Sequence, residues 1–229
     1  RTNANGFRGP ACPRERAPGT LRIVGLGDSV LFGWGVEYEQ CFAALLEQLL
    51  EDDYPGTDVE FINTGVPGYN TVMEVETLKA KGLAYRPDLV LVDFVENDLQ
   101  PPHFVPHEVH YLSLSRSFVW SLATGHATFR RFSPPPQLGN DRDFWVTNEF
   151  DPENVPESLE DMVGLGSFRR AMDELAQLAL RHGFDVVVST HVEAPEYLRE
   201  TCAELGFPLV ETWPRLLEYM NAHGLERRG

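Results

Sequence analysis

Gly27-Asp28-Ser29-Val30 follows directly on the apolar run Leu21-Arg22-Ile23-Val24-Gly25-Leu26. A serine at the end of a short apolar strand is carried to the edge of a sheet, and Gly27 and Asp28 let the chain turn sharply there. The hydroxyl then projects into a crevice near the start of the next helix, where it is placed for nucleophilic attack. Two further polar turns follow apolar runs in the same way: Asn63-Thr64-Gly65-Val66-Pro67-Gly68 and Glu96-Asn97-Asp98. Attack on an ester carbonyl needs a nucleophile and donors for the developing oxyanion. Ser29 suits the first role. The backbone N–H of Gly68, the side-chain amide of Asn97 and the N–H of Ser29 itself suit the second, because a glycine lets substrate approach the backbone closely. Asp28 and Asn63 flank these groups as candidate substrate contacts. Asp28, preceding the serine, is expected to point away from it.

A serine also needs a base to take its proton, and the histidines supply no convincing one. His191, in Ser189-Thr190-His191, follows an apolar run and so stands at the same edge, as a substrate contact or a stand-in base. His103, His107 and His110 lie in a proline-rich stretch without a Cys or Asp cluster beside them, so no metal site is expected. His126, His182 and His223 read as surface residues.

The elements that position these residues alternate along the chain. Strands are expected at 21–26, 59–62, 89–95, 184–189 and 208–210. Helices are expected at 39–51, 71–82, 158–182, 194–205 and 214–222. In the first helix Phe42, Leu45, Leu46, Leu49 and Leu50 form one apolar stripe at helical spacing. Asn70 or Thr71 is a plausible N-cap for the second, and Ser158-Leu159-Glu160-Asp161 has the pattern of a capping box for the third. Leu89–Val95 is almost continuously apolar, which marks a strand covered on both faces. The pattern predicts an α/β fold: a three-layer α/β/α sandwich on a parallel five-stranded sheet, with its site at the carboxyl ends of the strands. Residues 1–20, rich in Gly, Pro and Arg, read as an irregular arm before a domain spanning 21–229. Residues 99–157, rich in proline with scattered aromatics, read as a lid-like insertion with a short helix at 118–122.

Composition narrows the chemistry. The 229 residues carry 35 acidic and 19 basic side chains, a net charge of −16, which disfavours nucleic acid and anionic membrane surfaces as partners. No apolar run is long enough to span a membrane. Cys12, Cys41 and Cys202 are odd in number and widely spaced, so free thiols are expected rather than a disulfide framework or a zinc site. The sequence implies no cofactor and fixes no compartment. The dinucleotide fingerprint fails at Val30, and Leu31 stands where an α/β-hydrolase elbow requires glycine.

Taken together, Gly27-Asp28-Ser29, the Asn63–Gly68 segment and Asn97-Asp98 resemble the conserved blocks of the SGNH (GDSL) hydrolase family, in order, separation and placement after successive strands. The resemblance spans roughly Leu21 to Val210 and implies a flavodoxin-like fold with Ser29 as nucleophile and Gly68 and Asn97 as oxyanion donors. The arm segment Asn3-Ala4-Asn5-Gly6-Phe7-Arg8-Gly9 also resembles one that precedes the domain in some bacterial members. Val95-Glu96 replaces the glycine usual before Asn-Asp. The family's fourth block, an Asp-x-x-His that supplies base and acid, occurs nowhere in the 229 residues. The chain ends at about the point where that block is expected to begin, so a truncation is expected rather than a loss. The reading that follows is serine-dependent hydrolysis of a carboxylic ester, with a small-molecule ester or acylated saccharide as substrate. The alternatives are O-acyl transfer to or from a saccharide on the same chemistry, and a non-catalytic binding domain that keeps the fold without the base.

Overall fold

The computed structural model describes residues 2–100 and 157–223. The short helix expected at 118–122, residues 101–156 of the expected insertion and the lid histidines lie outside the described residues.

Five parallel strands form one sheet: β1 (Leu21–Gly27), β2 (Val59–Asn63), β3 (Leu89–Phe94), β4 (Asp185–Thr190) and β5 (Leu209–Glu211). Their order is β2-β1-β3-β4-β5. The helices are α1 (Ser29–Phe32), α2 (Phe42–Asp53), α3 (Thr71–Ala80), α4 (Gly164–His182), α5 (Glu196–Leu205) and α6 (Trp213–Ala222). Alternate strand residues feed two cores. Val24, Leu26, Ile62, Val90, Val92, Phe94 and Val188 pack with Leu78 of α3, Phe168 and Leu175 of α4 and Leu198 of α5. On the other face Ile23, Phe61 and Leu91 pack with Leu31 of α1 and Ala43 of α2. Both faces are therefore covered, which is why the strands read as apolar runs and not as alternations.

Three local expectations give way. The helix expected to begin at the Ser158–Asp161 capping box starts instead at Gly164, after a 3₁₀ turn at Glu157–Met162, and no side chain caps it. The apolar stripe of α2 is split. Ala43 is buried and Leu46 and Leu50 pack on the core, whereas Phe42, Leu45 and Leu49 are exposed, Leu49 to 59%. The helix turns its small residue to the sheet, and close approach there leaves the outer part of the stripe uncovered. The described residues of the arm form no helix or strand, and they are built into the domain. Phe7 is buried in the larger core, and Arg8 bridges Asn63 at the end of β2.

The anchor of the arm is Arg22, fully buried within β1. Its guanidinium donates to Glu60 (2.6 Å), to the carbonyls of Arg14 (2.9 Å) and Pro13 (2.8 Å) in the arm, and to Tyr85 O (2.7 Å). A buried charge is tolerable only when paired and fully hydrogen-bonded, and here the planar fork is satisfied from several sides. The three cysteines are free thiols, as expected.

Candidate active site

In a sheet of this order the chain leaves β1 toward β2 on one side and returns to β3 on the other. The crevice between the carboxyl ends of β1 and β3 is thus the topological switch point. Ser29 and Asn97 stand on its two sides. Gly27 of β1 is in register with Asp93 of β3, and Asp93 with Ser189 of β4, so the turns that follow begin at one level.

Ser29 opens α1, and Asp28 is its N-cap, with Oδ1 accepting from Val30 N at 2.9 Å. Asp28 does not point away from the serine. Its Oδ2 accepts from Ser29 Oγ (3.2 Å) and from Asn97 Nδ2 (3.1 Å). One carboxyl oxygen thus joins the candidate nucleophile to the candidate oxyanion donor across the switch point. Asp28 is 3% exposed and both its oxygens are engaged, so its place is behind the reacting groups and not against substrate. The spacing rule that sends neighbouring side chains to opposite sides holds in a strand. It lapses here because Asp28 has already left the strand (φ −102°, ψ −133°).

Asn63 is also spoken for. Its amide donates to Leu31 O (2.6 Å) and its Oδ1 accepts from Gly65 N (3.0 Å), and it has no exposed surface. It ties the second turn to α1 and does not reach substrate. The turn itself is set by Pro67 and Gly68: Tyr69 N donates to Val66 O at 3.0 Å, and Gly68 sits at φ +81°. Proline followed by a residue of positive φ is the type II pattern, and only glycine takes that second place without strain. Gly65 faces a different limit. A Cβ there would stand 2.8 Å from Phe32 N and 3.1 Å from Asp28 O, so its lack of a side chain is what lets this turn close against α1.

The Asn97 turn, a 3₁₀ stretch at Glu96–Leu99, is held from behind by the N-terminus of α3. Asn70 caps α3 through Met73 N (3.1 Å) and donates to Gln100 O (3.0 Å). Thr71 Oγ1 donates to Asp98 (3.2 Å). Glu74, one helical turn on, is buried. Sequence reasoning passed over Asp98 and Glu74 in these roles. The signal was present in an acid four residues before Leu78, at an apolar-stripe position of the helix. Burial pushes the carboxyls of Glu74 and Asp98 well above the ordinary range. Asp93, buried on β3, is pushed up to about 7 by the same cause, opposed by the Ser189 hydroxyl that donates to it at 3.0 Å.

His191 follows β4, partly buried, at the same edge as Ser29. β3 lies between β1 and β4, so two strand spacings, about 10 Å, separate the strands that carry them. His182 ends α4, which delivers the chain to the start of β4, and His223 caps the end of α6; both are exposed. Among the described residues no group of three His, Cys, Asp or Glu side chains is arranged to hold a metal ion. No helix among them is long and apolar enough to cross a membrane.

No family model and no curated protein matches the chain. Solved structures do. AlinE4, an SGNH-hydrolase family esterase, aligns over 93% of this chain and 87% of its own at a TM-score of 0.50 and 16% identity. The fold is that of the SGNH hydrolases. The acetyl xylan esterase AlAXEase is similar over 91% of this chain and 87% of its own, at a TM-score of 0.51 and 14% identity. A two-domain esterase active on acetylated mannans, CEX, reaches a TM-score of 0.54 at 15% identity, over 91% of this chain and 42% of that protein. In this chain the turns after β1, β2 and β3 carry Ser29, Gly68 and Asn97.

Proposed function

We propose that this protein is a serine-dependent carboxylic-ester hydrolase that works through an acyl-enzyme. The observation that carries the reading is the shared oxygen: Ser29 Oγ and Asn97 Nδ2 converge on Asp28 Oδ2 at the switch point of the sheet. Ser29 Oγ attacks the ester carbonyl carbon, and its proton passes to a base. The carbonyl oxygen becomes an oxyanion that receives the Gly68 N–H, the Ser29 N–H and the second Asn97 amide proton. Asn97 has two N–H donors, and Asp28 takes only one, so the bond that orients the amide leaves the other for substrate. Collapse of the tetrahedral intermediate expels the alcohol, which takes up the proton. Water then attacks the acyl-enzyme by the same route and releases the acid.

In the family that the sequence resembles, the serine proton goes to the histidine of an Asp-x-x-His block. His191 is the candidate for contact with the alcohol part of the substrate. Acylated saccharides are the substrate class of choice, since CEX and AlAXEase, which share the fold, act on acetylated mannans and acetyl xylan. The test is labelling of the full-length natural protein with a fluorophosphonate, followed by peptide mapping, together with release of acetate from an aryl acetate and from acetylated mannan. Label on Ser29 and loss of both activities in Ser29→Ala are expected. Label on another serine, or activity that survives Ser29→Ala, refutes the assignment.

A further inference from the structure

Behind the turn that presents Asn97 lie two carboxyl groups that the proposed chemistry leaves unused. Glu74 of α3 and Asp98 are each 2% exposed. Among the described residues, neither oxygen of Glu74 has a hydrogen-bond partner, and neither has Asp98 Oδ1. Asp98 Oδ2, by contrast, receives Thr71 Oγ1 at 3.2 Å and Val95 N at 3.4 Å. Thr71 and Glu74 are three residues apart on one helix, so they lie on one face a turn apart, and that face meets Asp98. The other ionisable groups turned toward this pair are Asp28 after β1, Asp93 on β3 and Tyr197 on α5. None of these is cationic. Two carboxylates buried against each other in such surroundings cannot both stay charged, and orphaned buried oxygens are costly.

We propose that Glu74 and Asp98 share one proton at neutral pH, Glu74 donating it to Asp98 Oδ1, and that this bond holds in place the turn that presents the Asn97 amide. The proton sits on Glu74 because Asp98 has two donors to stabilise its charge and Glu74 has none. Burial raises both groups, so the pair keeps its proton beyond the usual carboxylate range. A single O–H thus satisfies Asp98 Oδ1 and removes one of two buried charges. Glu74 acts as a positioning residue. It touches no substrate, and its effect reaches the chemistry through Asp98 and Asn97. The inference rests on the reading of Asn97 as an oxyanion donor.

Infrared difference spectroscopy on the full-length protein tests the proton directly, without substrate. At about pH 8 the wild type minus Glu74→Gln spectrum is expected to show the deuterium-sensitive C=O stretch of a protonated carboxyl. Asp93 is the same in both proteins, so its band cancels. Absence of that band overturns the shared proton. The Asn97 side-chain amide resonance, assigned by its disappearance in Asn97→Asp, tests the positioning. It should keep its shift in Glu74→Gln, whose amide still donates to Asp98, and move or broaden in Glu74→Leu. An unchanged resonance in a folded Glu74→Leu protein overturns the positioning role. If Glu74→Leu does not fold, Thr71→Val, which strips one donor from Asp98, should move the same resonance, and an unmoved one counts equally against it. With an aryl acetate, kcat is expected to stay within about threefold in Glu74→Gln and to fall at least tenfold in Glu74→Leu at unchanged KM. A protein without esterase activity leaves the infrared and resonance results readable, so the two readings fail separately.

Discussion

Asp28→Asn isolates the oxygen on which the candidate site turns. Asparagine nearly preserves the volume and the N-cap, since its Oδ1 can still accept from Val30 N. What changes is the Oδ2 position, which becomes an NH₂ facing two donors. The Ser29 hydroxyl can rotate and accept instead. The Asn97 amide cannot, so it loses its acceptor and turns away from the crevice. An unsatisfied donor in a site this buried costs about 1–3 kcal/mol of stability. The kinetic cost is bounded by loss of one oxyanion donor, roughly 10²–10³ in turnover, or about 3–4 kcal/mol. It should appear in kcat and leave KM little changed, because the donor acts on charge that develops only in the transition state. The assay is a double-mutant cycle of Asp28→Asn and Asn97→Ala on an aryl acetate, with urea unfolding in parallel. If Asp28 acts through Asn97, the double variant is about as slow as Asn97→Ala alone, a coupling of about 2–3 kcal/mol. Fully additive losses would show that Asp28 and Asn97 serve separate functions and would refute the shared-oxygen reading.

Gly68→Ala forces a side chain onto φ +81° and should lower unfolding free energy by about 1–2 kcal/mol, read by urea titration. Gly65→Ala brings a Cβ against Phe32 N and Asp28 O, so kcat should fall more than stability does; equal retention of kcat would mean the turn has slack. Asp93 has its folded pKa raised above the unfolded value of about 3.8, so the native state binds the extra proton. Its contribution is neutral below that unfolded value, becomes a growing penalty as pH rises toward 7, and reaches at most about 4 kcal/mol beyond it. Asp93→Asn keeps an acceptor for Ser189 and should therefore gain stability at about pH 8 while changing little at about pH 4, measured by unfolding at the two values. Arg22→Met strips Glu60 of its buried partner and the arm of its anchor; a loss of about 3–5 kcal/mol and faster proteolysis before Leu21 are expected.

The strands were legible to within a residue or two because a parallel sheet covered on both faces writes itself as apolar runs. The helix α2 was legible from its stripe, and α3 from its Asn70 cap. What escaped had no periodic signature. α1 has four residues and owes its existence to the Asp28 cap, not to a stripe. The uncapped start of α4 is decided by tertiary packing, with Ser167 Oγ bound to Glu160 O at 3.1 Å, and the capping-box letters before it are spent on a 3₁₀ turn. The docking of the arm was written in one residue, an arginine inside an otherwise apolar strand. Such a residue must find a full set of acceptors, and the arm carbonyls complete it. The candidate nucleophile, the glycine turn and Asn97 were legible by type and order. The side-chain ties that align them were not, because those ties are set by what the folded chain brings together.

Strand register alone does not make these three turns a site. It places their roots at one level, and the side chains that follow close the remaining gaps. Asn63 draws the second turn to α1 through Leu31 O. Asp28 draws the third turn to Ser29 through Asn97. Asn70 and Thr71 pin the back of the third turn to α3. Each of these polar groups is buried and is used at least once by a neighbouring turn, so removing any one leaves an unsatisfied partner on the next. Local damage should therefore spread along the rim. Substitutions at Asn63 or Thr71, which reach no substrate, are expected to lower kcat as well as stability. Substitutions of the exposed side chains of Trp34 or Val36 should leave stability nearly untouched.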